Sequence, residues 1–206
     1  MLVKTYGSAV SGIDAKIITI ECNVDQGINF YLVGLPDNAV KESQQRIEAA
    51  LKNVGYKIPG KKIVINMAPA DIRKEGSAYD LPIAIGILSA SKQITERGVD
   101  KYVIMGELGL DGGIHSIKGV LPIAIQAKRE SFKGVILPSQ NVHEAAVVDG
   151  LDVFGVNNIK EVIDFFENRI QLTPFRLDAT GLLRENQNQG LPDFRDVKGQ
   201  ENIKRA

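Results

Sequence analysis

Lys61-Lys62-Ile63-Val64-Ile65-Asn66-Met67, a polar passage over 68–80, and then Leu81-Pro82-Ile83-Ala84-Ile85-Gly86-Ile87-Leu88-Ser89-Ala90-Ser91 form the stretch that decides the fold. The β-branched centre Ile63-Val64-Ile65 predicts a strand, and its unbroken apolar run predicts burial on both faces. The passage 68–80 predicts a loop. Residues 81–91 predict a helix without a polar face, and such a helix belongs in the interior. A buried strand and an interior helix together call for a layered domain around one core.

Working outward to the amino terminus, 2–10 and 13–24 are rich in Val, Ile and Thr and predict strands; Asp25-Gln26-Gly27 turns the chain, and 29–33 continues the sheet. Gly34-Leu35-Pro36-Asp37 interrupts, with Pro36 suited to the first turn of a helix. Val40, Ile47, Leu51 and Val54 share one helical face, which predicts a helix over 37–54. Glu42 and Arg46 support it as an i,i+4 pair, and Gly55 ends it.

Working outward the other way, strands are expected at 102–108, 114–117, 134–137 and 152–156. Helices are expected at about 121–131, at 142–148 with Asn141 as cap, and at 159–168. The prediction is one α/β (α+β) layered domain over 1–168 with a mixed sheet and packed helices. Residues 169–192 are expected to be a linker, and 193–206 to open a second domain.

Composition narrows the function. The 25 basic and 25 acidic residues cancel, so the chain as a whole exerts no pull on nucleic acid or membrane, although a local patch remains open. Cys22 is the sole cysteine, which excludes an intrachain disulfide, and its alternating apolar surroundings predict a buried thiol. The start lacks the pattern of a secretory signal, and no apolar run reaches the ~20 residues of a membrane span; a cytoplasmic protein with no membrane partner is expected.

Candidate sites are few. Gly55-Tyr56-Lys57-Ile58-Pro59-Gly60-Lys61-Lys62 matches G-x-x-x-x-G-K, but Lys62 replaces the magnesium-holding hydroxyl. It also leads from a helix into a strand, whereas a phosphate loop must lead into a helix N-terminus. Gly109-Leu110-Asp111-Gly112-Gly113 has the chemistry of a hairpin. Ser77, in the loop before the interior helix, is the one tempting nucleophile. His115 and His143 have no partners at metal-ligand spacing. Lys57, Lys61, Lys62, Arg73 and Lys74 form a basic cluster without aromatic interleaving.

Three stretches carry a resemblance. The first is Val33-Gly34-Leu35-Pro36-Asp37 with Val40-Lys41-Glu42; the second runs from Asn66 through Ala68-Pro69-Ala70-Asp71-Ile72-Arg73-Lys74-Glu75-Gly76 to Leu88; the third is Gly106-Glu107-Leu108-Gly109-Leu110-Asp111-Gly112 with Lys118-Gly119-Val120-Leu121-Pro122. Occurring in this order, they resemble the amino-terminal domain of the YifB/ComM family of magnesium-chelatase-like AAA+ proteins. The segment 193–201 resembles that family's entry into its AAA+ module.

The resemblance implies a fold like the Lon protease domain, of the ribosomal-S5-domain-2-like group. Lon enzymes use a Ser–Lys dyad. Anchoring on Gly76 puts the nucleophile position on Ala78, one residue past Ser77. Anchoring on Gly106-Glu107 puts the lysine position near Leu121, with Lys118 and Lys128 as neighbours. Both positions lack the needed atom, so a non-catalytic scaffold domain is expected, with no catalytic, cofactor or metal residue of its own. ATP and Mg are expected for the AAA+ module. The implied partners are that module, further copies in a ring (hexameric in relatives of the ComM type, which are associated with ATP-driven DNA branch migration), and DNA. Asp37, Glu42, Lys74, Glu75 and Asp80 are the candidate interdomain or DNA contacts. The alternatives are a direct DNA-binding module and an atypical Ser–Lys peptidase using Ser77.

Overall fold

The computed structural model describes residues 1–177, and Met1–Arg176 forms one compact unit. Its strands are β1 (Leu2–Ser11), β2 (Asp14–Asp25), β3 (Phe30–Val33), β4 (Lys62–Ala68), β5 (Tyr102–Ile104), β6 (Glu107–Leu108), β7 (Ile114–His115), β8 (Gly134–Pro138) and β9 (Asp152–Val156). Its helices are α1 (Asn38–Lys41), α2 (Ser43–Asn53), α3 (Asp80–Ala90), α4 (Val120–Arg129), α5 (Val142–Ala145) and α6 (Ile159–Phe166). The main sheet runs β3-β4-β2-β1-β5-β8-β9, and β6 with β7 makes a separate hairpin. The sheet is mixed: β2 is antiparallel to β1 and β4, whereas the β3–β4, β1–β5, β5–β8 and β8–β9 pairings are parallel. The expected mixed α/β architecture is the one observed.

The long β1–β2 hairpin sets the frame. Its register runs without a slip from Leu2↔Asn23 to Ser11↔Asp14, closed by the two residues Gly12 and Ile13. One face of the hairpin, with Val3, Thr5, Ile18, Ile20 and Cys22, is buried. Every residue of α3 is buried against that side. The close approach depends on Gly86, where an added Cβ would lie 2.5 Å from the Cys22 sulfur. The interior helix expected from its sequence is therefore found, and the thiol is sealed beneath it.

Several elements differ from expectation, each for a physical reason. β4 is buried on one face only; its other face joins the polar pairs Asn66–Glu21 (3.0 Å) and Lys4–Glu21 (3.2 Å). Continuous burial belongs instead to β8. The helix expected over 37–54 breaks at Glu42 into α1 and α2. Pro36 precedes the cap residue Asp37 and bridges to Lys74 instead of entering the first turn. The strand expected over 102–108 ends at Ile104, because Gly106 leaves the sheet to bond Ala78 and Leu81. Asn141 does not cap α5; its amide both donates to and accepts from the Ile117 backbone (2.9 Å each). The boundary expected at 168 lies beyond α6: Phe175 N–H donates to Val153 C=O (2.7 Å), and Arg176 pairs with Asp152 (2.9 Å). The expectation for 193–206 lies outside the described residues. Among the described residues, no helix is long and apolar enough to cross a membrane.

Burial pushes the Cys22 thiol up to about 12 and the Tyr79 phenol upward as well. Both groups hold their protons to higher pH in the folded chain than in the unfolded one. Stability is therefore full below the unfolded thiol's value, about 8.5, and is lost as pH rises towards the folded value. The urea midpoint should fall between about pH 7 and about pH 10.5, and fall less steeply in Cys22→Ala. Equal slopes in the two proteins would mean that the thiol is not shielded.

Candidate functional site

The three motif stretches meet at one loop, 74–80. Asp37 starts the junction. One of its carboxylate oxygens accepts from Val40 N–H (2.8 Å) and caps α1; the other accepts from Gly76 N–H (3.0 Å). The backbones also exchange bonds, Asp37 N–H to Lys74 C=O (2.9 Å) and Lys74 N–H to Leu35 C=O (3.2 Å). Lys74 itself is fully buried, and its ammonium donates to Gly34 C=O (2.8 Å) and to Pro69 C=O. Burial pulls its pKa down, opposed by the nearby charge of Asp71.

The third stretch locks onto the other end of the loop. Gly106 N–H donates to Ala78 C=O (2.9 Å), and Leu81 N–H donates to Gly106 C=O (3.1 Å). The Ser77 hydroxyl donates to the Glu107 carboxylate. Asp80 is wholly buried at the start of α3, where Arg46 of α2 grips it with two bonds of 2.7 and 2.9 Å. The same guanidinium donates to Ala39 C=O (2.8 Å), and Leu108 N–H approaches Asp80 at 3.3 Å. Burial pushes the Asp80 carboxyl up; the Arg46 fork and the Leu108 amide pull it part of the way back. Two parallel bonds and a backbone amide are what a buried carboxylate needs to stay ionised.

Beside this loop lies a cavity of about 900 Å³, between Ser77, Ala78, Tyr79 and Glu107 on one side and the end of β1 with Ile117 and Lys118 on the other. Its size is that of a ligand pocket. The Tyr79 hydroxyl is committed to Ser8 C=O at 3.0 Å. Ser77, with a carboxylate partner, presents a hydroxyl whose proton is held; a carboxylate, the conjugate base of an acid far stronger than a serine hydroxyl, is too weak a base to take that proton.

The structure sorts the residues singled out from sequence. Asp37, Lys74 and Asp80 are used within the unit. Lys74 and Asp80 have no exposed surface, so neither belongs to a contact surface or to a basic patch. Their burial is the reason: Asp80 is paired with Arg46, and the Lys74 ammonium is spent on the carbonyls of Gly34 and Pro69. Glu42 and Glu75 are exposed and pair with Arg46 (3.9 Å) and Arg73 (3.1 Å). Lys57, Lys61, Lys62 and Arg73 remain exposed. Ala78 lines the cavity, as does Lys118. Leu121 sits in the first turn of α4, where its N–H donates to Glu144 (2.9 Å), and Lys128 reaches Asp149 C=O. The segment 55–62 connects α2 to β4, and 109–113 turns the β6–β7 hairpin, both as expected. His115 and His143 are exposed, and among the described residues no three metal-ligating side chains gather.

Sequence alone missed Glu107 as the partner of Ser77 and Arg46 as the partner of Asp80. Asp80 did carry a signal, since a carboxylate heading an otherwise apolar interior helix requires a buried cation. Glu107 carried none.

A mixed α/β unit whose Gly-Leu-Pro-Asp, Lys-Glu-Gly and Gly-Glu-Leu stretches knot into one loop defines a magnesium-chelatase-type domain. Residues 20–141 match the family model described as Subunit ChlI of Mg-chelatase, and the chain belongs to that family. It is 37% identical to the competence protein ComM of Haemophilus influenzae over 210 residues, which takes in 100% of this chain and 40% of that protein. It is also 37% identical to the uncharacterized protein YifB of Escherichia coli, over 96% of this chain and 38% of YifB. Lon protease 2 of Bacillus subtilis is 32% identical over 126 residues, 60% of this chain and 22% of that enzyme. The chain thus spans about two fifths of the length of ComM and YifB.

Proposed function

We propose that this unit is a non-catalytic accessory domain of a magnesium-chelatase-like AAA+ ATPase that processes DNA, working by ATP-driven branch migration in recombination or natural transformation. The observation that carries the non-catalytic part is the partner of Ser77, the carboxylate of Glu107. The buried amine of Lys74 is turned to the carbonyls of Gly34 and Pro69. A Ser–Lys dyad needs hydroxyl and amine in contact, so that an unprotonated lysine can take the serine's proton. The competence-protein name of the Haemophilus relative supports the DNA-processing part. ATP and magnesium belong, on this proposal, to an AAA+ module outside the described residues, and the whole protein acts as a cytoplasmic ring of identical subunits.

The rival is a peptidase using Ser77, favoured by the cavity beside that hydroxyl and by the similarity to Lon protease 2. One experiment separates them: casein degradation and ATP-dependent branch migration of a four-way DNA junction, measured on the whole gene product with and without Ser77→Ala. The expected result is migration in both proteins and casein loss in neither. Casein loss that vanishes with Ser77→Ala would establish the peptidase instead, and absence of migration in both would remove the DNA assignment.

A further inference from the structure

The cavity has a feature that the scaffold proposal leaves unused: its wall includes a strand edge that is unpaired among the described residues. β1 pairs with β2 over its whole length, but with β5 at one position only, Tyr6↔Val103. Beyond that position β5 ends, and the chain turns away through Met105 and Gly106. The direction of the β1 backbone groups follows from the ladder. Val24 N–H donates to Met1 C=O, which places the odd-numbered residues in the bonded pairs with β2. Even-numbered residues therefore turn N–H and C=O to the opposite edge. Ser8 confirms the alternation, its N–H meeting the Met105 sulfur (3.3 Å) and its C=O accepting from Tyr79 (3.0 Å).

Val10 is the next even residue. Its amide and carbonyl face the same edge at a point where, among the described residues, no strand lies, and the residue is exposed and lines the cavity. Ser8 is closed off by its two partners, so the open length is short and lies toward the hairpin end. Ile72, Ile117 and Ile123 supply apolar wall beside it.

We infer that this cavity takes an extended polypeptide segment, which lies along the edge of β1 opposite β2, exchanges backbone hydrogen bonds with Val10, and places an apolar side chain against Ile72, Ile117 and Ile123. A donor and an acceptor spaced along one strand edge are matched by another extended backbone. Ser77 and Glu107 stand at the wall of the site as polar contacts, and no bond of the segment is broken.

The test uses the 206-residue chain, with reduced and carboxymethylated α-lactalbumin as a permanently unfolded probe and native α-lactalbumin as its folded control. Binding is followed by fluorescence anisotropy, and backbone protection by amide hydrogen exchange. The unfolded probe should bind and the folded control should not, and the Val10 amide should slow its exchange on binding. Val10→Pro removes the outward N–H at an edge position where proline is tolerated, and should weaken binding by about tenfold. Absence of binding, binding that leaves Val10 exchange unchanged, or equal affinity of a folded Val10→Pro chain would each overturn the inference. So would protection of Val10 by single-stranded DNA in place of the polypeptide. If Val10→Pro does not fold, the exchange measurement on the unaltered chain decides. Cleavage of the probe would refute the non-catalytic proposal and leave the binding site standing, so the two fail separately.

Discussion

Arg46→Ala should lower the free energy of unfolding by about 3–5 kcal/mol, a large share of a typical domain's stability. Asp80 sits with no exposed side-chain surface at the head of α3, and among the described residues Arg46 is the one cation that meets it. Among the described residues, removing the guanidinium leaves the interior carboxylate with only the Leu108 amide at 3.3 Å. The deficit comes from that stranded charge more than from the lost bonds, and two further outcomes follow. Adding Asp80→Asn to Arg46→Ala should recover part of the loss, because the buried group is then neutral. The deficit should also shrink toward acid pH: burial already pushes the Asp80 carboxyl up, and without Arg46 the folded chain takes up the proton at a higher pH than the unfolded chain does. Urea unfolding of the unaltered chain and the two variants between about pH 4 and about pH 7 measures this. A loss below about 1 kcal/mol, independent of pH, would show that Asp80 finds another partner or water.

Gly34→Ala is the second large effect. Gly34 has φ +103, and an added Cβ would stand 2.1 Å from the Met67 carbonyl oxygen. Backbone of β4 cannot yield as the tip of a side chain can. Left-handed strain and overlap together should cost about 3 kcal/mol or more. The Gly34 carbonyl is also an acceptor for the buried Lys74 ammonium, so any shift of residue 34 strands that cation. Gly12→Ala is the matched control: its φ is +62 but nothing lies within 4 Å of the added Cβ, so only the conformational term of about 1–2 kcal/mol applies. Equal losses at the two positions would mean that the Met67 collision is relieved.

What could be seen in the sequence was what local pattern controls. The alternation in 13–24 gives β2, the absence of polar residues in 81–91 gives α3, and Asp111-Gly112 gives the β6–β7 hairpin. What escaped was set by partners far away in the chain. Nothing near Gly106 announces that its N–H and C=O will leave the sheet for Ala78 and Leu81, so β5 was expected to be longer. Phe175 follows Thr173-Pro174 and reads as linker, yet it docks on β9. In the candidate site, Ser77 stood out through its loop and the family resemblance, but its acidic partner lies 30 residues away. Lys74 sat in a run of charged residues that suggested solvent; only the fold shows that Gly34 and Pro69 enclose it.

The knot at residues 74–80 makes the three distant stretches one unit of inheritance. Leu35, Asp37, Lys74, Gly76, Ala78 and Gly106 hold one another through backbone and carboxylate bonds. Substitutions there should show strong epistasis, with the second change in a pair costing little once the first has loosened the knot. A drifting lineage would then keep or discard the three together, and a related chain that retained only one of them would be evidence of a loop rebuilt on different terms.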